Sequence, residues 1–288
     1  MDRLIVTRGG VGTTAQILQW SQVLSHRVTM DFPILIQVVR GQKTLRRHGR
    51  ETVISEGEAV AVAGGQTFDI LNQPGSEGYY EARWLMFDQI DLASWSLENP
   101  GVPAISEVLP LRNLATEFSS LIDSTVLAIE DAESLPLPVA SARVREVLAW
   151  IGVHGGRFLP MARTSLPNKI RTLISTQPGL DWTAEKVASL MAMSEATLRR
   201  HLAKEGQAFS SLLVEVRLTS AFNLILATDQ PIDSIARSVG YQSPSRFAAR
   251  FKAMFGHQPT ILRGHHRSDD RFGTKIDRSA ATSVPVRM

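Results

Sequence analysis

Three arginines stand where a side chain could read hydrogen-bond acceptors. Arg199 and Arg200 follow Ser194-Glu195-Ala196-Thr197-Leu198, and Arg246 follows Ser243-Pro244-Ser245. Each Ser is placed to begin a helix, because its hydroxyl accepts from an unpaired amide one turn on. Pro244 suits the first helical position, which needs no amide hydrogen. Leu198 and Leu202 lie four apart, as do Phe247, Phe251 and Phe255, so each helix has an apolar face to bury. The faces left open carry Ala196, Arg199 and Arg200 in the first, and Ser245, Arg246 and Ala249 in the second. A guanidinium pairs two acceptors of guanine, worth roughly 1–3 kcal/mol of discrimination, and a small Ala can meet a thymine methyl. Lys204, Arg217, Arg237, Arg250 and Lys252 are cations of the kind that neutralise backbone phosphates.

The elements that hold these residues occur twice. A short helix precedes each basic one, burying Val187, Leu190 and Met191 in the first half, and Ile235 and Val239 in the second. Ala192-Met193 forms one turn and Gly240-Tyr241-Gln242 the other. A short helix held across another, with arginines on its open face, is the geometry that enters a major groove. Between the halves, Ser210 to Ala227 reads as one helix. At ~1.5 Å per residue it is ~30 Å long, close to the ~34 Å between successive major-groove faces on one side of B-DNA.

The run Ile235-Ala236 … Val239-Gly240-Tyr241-Gln242-Ser243-Pro244-Ser245-Arg246-Phe247 … Arg250-Phe251-Lys252 … Phe255-Gly256 … Pro259 … Arg263 resembles the C-terminal signature of the AraC family of bacterial transcription regulators. Leu198-Arg199-Arg200-His201-Leu202 and Arg217-Leu218 are similar to its first motif and linker helix. His201-Leu202 departs from the aromatic next to a Lys that is frequent there. The resemblance covers about Lys169 to Arg263. It implies a double helix-turn-helix domain that binds promoter DNA and cooperates with RNA polymerase, in most relatives as an activator. It also implies that the positions matching Ala196, Arg199, Arg200, Ser245, Arg246 and Ala249 face bases.

Charge is unevenly spread. Residues 1–163 hold 14 Lys and Arg against 18 Asp and Glu, whereas residues 164–263 hold 12 against 7. The basic part is the part that would meet phosphate. The absence of cysteine removes disulfides and thiolate metal sites, which agrees with a reducing cytoplasm. No run of ~18 apolar residues suggests a membrane span, and no secretion leader is evident.

The N-terminal part reads as short strands: Pro33–Arg40, Thr44–His48, Val53-Ile54, Ala59–Ala63, Thr67–Leu71 and Tyr79–Phe87, parted by Gly- and Asn-rich turns. Such spacing predicts a sandwich or small barrel. The pattern from Val38-Val39-Arg40-Gly41 to Glu56-Gly57-Glu58 resembles the cupin-like N-terminal domain of many AraC-family members. That resemblance implies a small-molecule effector and a homodimer contact. Phe32, Phe68, Tyr80, Trp84 and Phe87 are interior candidates, none of them assigned as a ligand contact. Lys43, Arg46, Arg47, His48 and Arg50 gather on one hairpin, either as a charged sheet edge or as a reader of an anionic effector. With only His26, His48 and His154 before residue 164, no metal site and no cofactor is expected. Gly9-Gly10-Val11-Gly12-Thr13-Thr14 lacks the Lys of a phosphate-binding loop.

The expected fold is α+β. A cupin-like β-barrel or sandwich spans 1–100, and helices of a linker or dimer contact span 101–160, over Leu114–Ile129 and Val139–Val153. An all-α DNA-binding domain spans 164–263, after a hinge at Gly155-Gly156 and Pro160, and a disordered tail spans 264–288. The expected function is a sequence-specific activator and not an enzyme. Two other readings stand beside it: a cupin-type enzyme carrying a DNA-binding module, and an effector-independent repressor.

Overall fold

The computed structural model describes residues 5–160 and 165–263, and the tail expectation lies outside them. The chain opens with β1 (Ile5–Arg8), β2 (Gly12–Gln19), β3 (Val23–Met30), β4 (Ile34–Arg40), β5 (Gln42–Arg47), β6 (Arg50–Ile54), β7 (Ala59–Val62), β8 (Gln66–Gln73) and β9 (Tyr80–Phe87). Then come α1 (Gln89–Glu98), β10 (Val108–Leu111), α2 (Thr116–Glu130) and α3 (Leu137–Val153). One sheet has the order β1-β2-β9-β4-β7-β10 and the other β3-β8-β5-β6, with antiparallel pairing.

Alternation assigns each side chain to a layer. On β4, Ile34, Ile36 and Val38 point between the sheets, while Leu35 points outward to α1–α3. On β7, Val60 and Val62 face in and Ala59 and Ala61 face out. Both strands are therefore buried on both faces, β7 as an unbroken apolar run and β4 as one interrupted by Gln37. The outer layer is a second core, in which Phe118, Ile122, Val144, Leu148 and Ile151 of α2 and α3 cover Leu35, Leu85 and Phe87. The rest of the chain forms α4 (Leu166–Thr176), α5 (Ala184–Leu190), α6 (Glu195–Lys204), α7 (Phe209–Ala227), α8 (Ile232–Ser238), α9 (Pro244–Phe255) and α10 (Pro259–Arg263).

The sequence reading did not place β1 to β3 or α10 individually, and two further elements differ from it. Asp88 caps α1, its side chain accepting from the Ile90 amide at 2.8 Å, where the sequence suggested no element. Within 101–160, read as linker or dimer-contact helices, Val108–Leu111 instead pairs with β7 and completes a sheet edge. The supposed hinge is also tied down: the Arg157 amide donates to Pro103 O at 2.8 Å, and the Ile105 amide to Arg157 O at 2.9 Å.

The helical part divides unequally. Ile170, Ile174, Val187, Leu198, Leu202, Leu212 and Val216 make a small core of their own. The second half shares one core with the sandwich, through Phe222, Ile225, Ile235, Phe247, Phe251 and Phe255. Helix α7 serves both cores. It has the length and apolarity of a membrane-crossing helix, but half of that stretch is buried inside the protein.

Each turn holds one residue at positive φ, but of a different type. Gly240 holds φ +90° and Ala192 holds φ +54°. An L side chain in that region costs roughly 1–2 kcal/mol, whereas glycine adopts it freely at an entropic cost of about 0.5–1 kcal/mol. Ala192→Gly is expected to raise the thermal midpoint by about 1–3 °C. Gly240→Ala is expected to lower it by more than that, because its new Cβ would also stand 2.7 Å from the Arg217 guanidinium. Scanning calorimetry of the two variants checks both signs, and a lowered midpoint for Ala192→Gly would show that the turn is not strained.

Candidate nucleic-acid interface

Each basic helix is started as its sequence requires. The Ser194 hydroxyl accepts from the Thr197 amide at 3.2 Å, and the Ser243 hydroxyl from the Arg246 amide at 3.3 Å. Leu198 and Leu202 anchor α6 from beneath, and Phe247, Phe251 and Phe255 anchor α9. The aromatic run is tightly packed with tilted rings: Phe251 and Phe255 lie 4.6 Å apart by ring centroids, and Phe222 of α7 lies 4.9 Å from Phe255. The expected reading residues Ala196, Arg199, Arg200, Ser245, Arg246 and Ala249 are all exposed. Arg199 leans back on Glu195, with Nε to Oε1 at 2.7 Å. Among the described residues Arg200 and Arg246 form no ion pair. Lys204, Arg237, Arg250 and Lys252 are exposed as well.

Arg217 is placed differently from the expected phosphate contact. It is half-buried, its Nε donating to Pro178 O at 3.0 Å and Nη2 to Leu180 O at 2.8 Å. The guanidinium lies under Gly240, and Gly179 packs so closely on the second turn that a Cβ there would stand 2.3 Å from Ser238 O. Nε and Nη2 are thus used on the connection between α4 and α5, while the guanidinium packs against the turn between α8 and α9. Sequence reasoning missed this cross-link, because nothing local in Arg217-Leu218 marks a side chain that bonds to carbonyls some forty residues upstream.

A cavity of about 310 Å³ opens between the sheets and reaches the helices. Ile17, Ile36, Ile70 and Trp84 line its barrel side, and Phe222 and Leu226 of α7 its helical side. Of the interior aromatics, Phe32 and Trp84 reach it, whereas Phe87 packs in the outer core. Asp31 stands at the junction, its carboxyl pushed up to about 6 by burial, against the pull of Arg171. Arg171 of α4 pairs with Glu215 of α7, and Glu215 also takes Arg27 of β3 at 3.1 Å. On the far side of β3, Ser25 Oγ lies 2.9 Å from His257 Nε2. The expected basic cluster separates here. Arg46 pairs with Glu51 and Arg47 with Glu107 on the surface, but Lys43 turns inward and is 3 % exposed. Period-two alternation carried that signal, since Lys43 shares its parity with buried Leu45.

A helix-turn-helix domain model matches residues 187–265. The HTH-type transcriptional regulator GadX of Escherichia coli K12 is 34% identical over 131 residues, 44% of this chain and 46% of GadX. YdeO, another HTH-type transcriptional regulator of that strain, is 28% identical over 109 residues, 38% of this chain and 43% of its own. The chain thus spans less than half the length of these curated relatives. ToxT from Vibrio cholerae, solved at 1.65 Å, is 12% identical, with a TM-score of 0.62 over 88% of this chain and 100% of that one. Unsaturated-fatty-acid-bound ToxT from strain SCE256 is 13% identical, with a TM-score of 0.62 over 92% and 97%. At that identity the likeness is one of fold: paired antiparallel sheets followed by helices. Together with the two Ser-capped helices and their spacer, the match to residues 187–265 establishes that this chain carries a helix-turn-helix domain of the AraC family of transcription regulators.

Proposed function

We propose that the protein is a sequence-specific transcription activator that reads two successive major grooves with α6 and α9. The observation that carries this is the pair of open, arginine-bearing faces on helices locked to one another through α7 and Arg217. The 19 residues of α7 extend about 28 Å, a rigid spacer on the scale of a helical turn of DNA. Arg199, Arg200 and Arg246, with Ala196, Ser245 and Ala249, read bases in this proposal. Lys204, Arg237, Arg250 and Lys252 hold phosphates, and Arg217 is reassigned from phosphate contact to alignment. RNA polymerase is the partner at the promoter, in the cytoplasm. A homodimer contact is placed on α2 and α3, which leave Leu127, Val139 and Val153 exposed.

The cavity supplies the control in this reading. It lies against α7, the element both heads depend on, so a guest there can alter how they are held. Support comes from its apolar lining and from a solved structure of the same fold described as unsaturated-fatty-acid bound.

Arg200→Ala is expected to weaken binding to a duplex selected by the protein from a random pool by about 5- to 150-fold. Binding to a scrambled duplex should change far less. Equal losses on both would make Arg200 a phosphate contact, and Arg246→Ala is the parallel test for α9. Arg217→Ala is expected to weaken the selected duplex while leaving the slope of log affinity against log salt unchanged. A phosphate contact would instead reduce that slope by about 0.9. A salt series by fluorescence anisotropy separates the two.

A further inference from the structure

Lys43 is the one cation among the described residues that lines the cavity. Its Nζ donates to Asn72 Oδ1 at 2.8 Å, Asn72 Nδ2 donates to Gln19 Oε1 at 3.0 Å, and the Tyr80 ring centroid lies 5.5 Å from the ammonium. The Tyr80 hydroxyl is buried with no hydrogen-bond partner among the described residues. No carboxylate among them forms an ion pair with Lys43. An ammonium has three donors, and burial without a counter-charge disfavours its charged form. Burial accordingly pulls Lys43 down to about 7.

The cavity is also polarised from end to end. Along β8, Gln66 lies opposite Met30 and Asn72 lies opposite Lys43. Six residues at about 3.3 Å each put these stations about 20 Å apart. Asp31, next to Met30, is therefore at the far end from Lys43. An uncharged guest leaves the ammonium unpaired, and a guest with a second anionic end meets Asp31. A water-sized share of about 30 Å³ gives 310 Å³ room for about ten heavy atoms.

We infer that the cavity takes a small amphipathic monocarboxylate, its head group on Lys43 beside Asn72 and its apolar body running toward Phe222 and Leu226 of α7. This rests on the reading of the cavity as an effector site, and it fixes both the class of effector and its direction. The head goes into the barrel, so the apolar end is what touches the helix between the two reading heads.

The test is calorimetric titration of the full chain with octanoate and with 1-octanol at pH 8, in two buffers of different ionisation enthalpy. Octanoate is expected to bind at least about 10-fold more tightly than octanol, with uptake approaching one proton per site as Lys43 is recharged. In Lys43→Met the preference and the proton uptake should both vanish while octanol still binds. Lys43→Gln, which keeps a donor for Asn72, serves the same comparison should Lys43→Met not fold. Equal affinity of the native protein for the two guests, or an undiminished preference in the variants, overturns the assignment of Lys43 and leaves an effector cavity standing. Failure of the native protein to bind either guest overturns the effector reading and this inference with it.

Discussion

Burial of α7 is the interaction on which the rest of the structure depends. Leu212, Val216, Leu218, Phe222, Ile225 and Leu226 are all buried along it. At about 1.5–3 kcal/mol for each fully buried side chain of this kind, they contribute on the order of 10 kcal/mol before the entropy of ordering is subtracted. The Arg27–Glu215 ion pair at the same junction is smaller: it is largely exposed on the arginine side, and such pairs are worth about 0–1 kcal/mol. The charges at the junction therefore specify how the helices sit, and the apolar contacts hold them there. Half of α7 is buried, and its apolar side chains must be covered along its whole length. Here the first head covers one end, while the second head and the sandwich cover the other.

That arrangement explains why an arginine stands where the sequence suggested a phosphate contact. Two heads that only shared a helix could still swing about it. Arg217 projects from the middle of α7, and its hydrogen bonds to Pro178 and Leu180 close a second connection between them. Gly240 leaves the space in which the guanidinium lies. Positioning, not charge neutralisation, is what its surroundings support.

Much of this was legible beforehand, for physical reasons that can be named. The heads were visible because a Ser cap, an apolar spacing of four and an open basic face all coincide at Ser194 and again at Ser243. The strands from β4 to β9 were visible because their turns are marked by glycine and asparagine, whereas β1 to β3 were not placed one by one. Helix α7 was found to within a residue because its apolar content is continuous. What stayed hidden depended on contacts distant in sequence. Strand β10 is four residues of Val-Leu-Pro-Leu whose state is decided by β7, 46 to 52 residues earlier in register. Helix α1 is short, and only the Asp88 cap announces it. Lys43 looked like one of five surface cations because composition groups neighbours, whereas a strand sends alternate neighbours to opposite faces.

The shared core of sandwich and second head has a consequence for how the molecule comes apart. Phe68 and Ile70 of the sandwich belong to the same continuous apolar cluster as Phe247 and Phe251 of α9. The first head's core is separate and much smaller. Cooperative units follow contiguous cores, so the sandwich and the part of the helical region around α8 and α9 are expected to melt as one body. The boundary of cooperativity then runs through the DNA-binding part and not beside it. By mass action, whatever stabilises the folded sandwich stabilises the second head with it. The first head is left as the portion whose local opening can vary independently, a division of labour that the repeated pattern of capping and apolar positions gives no hint of.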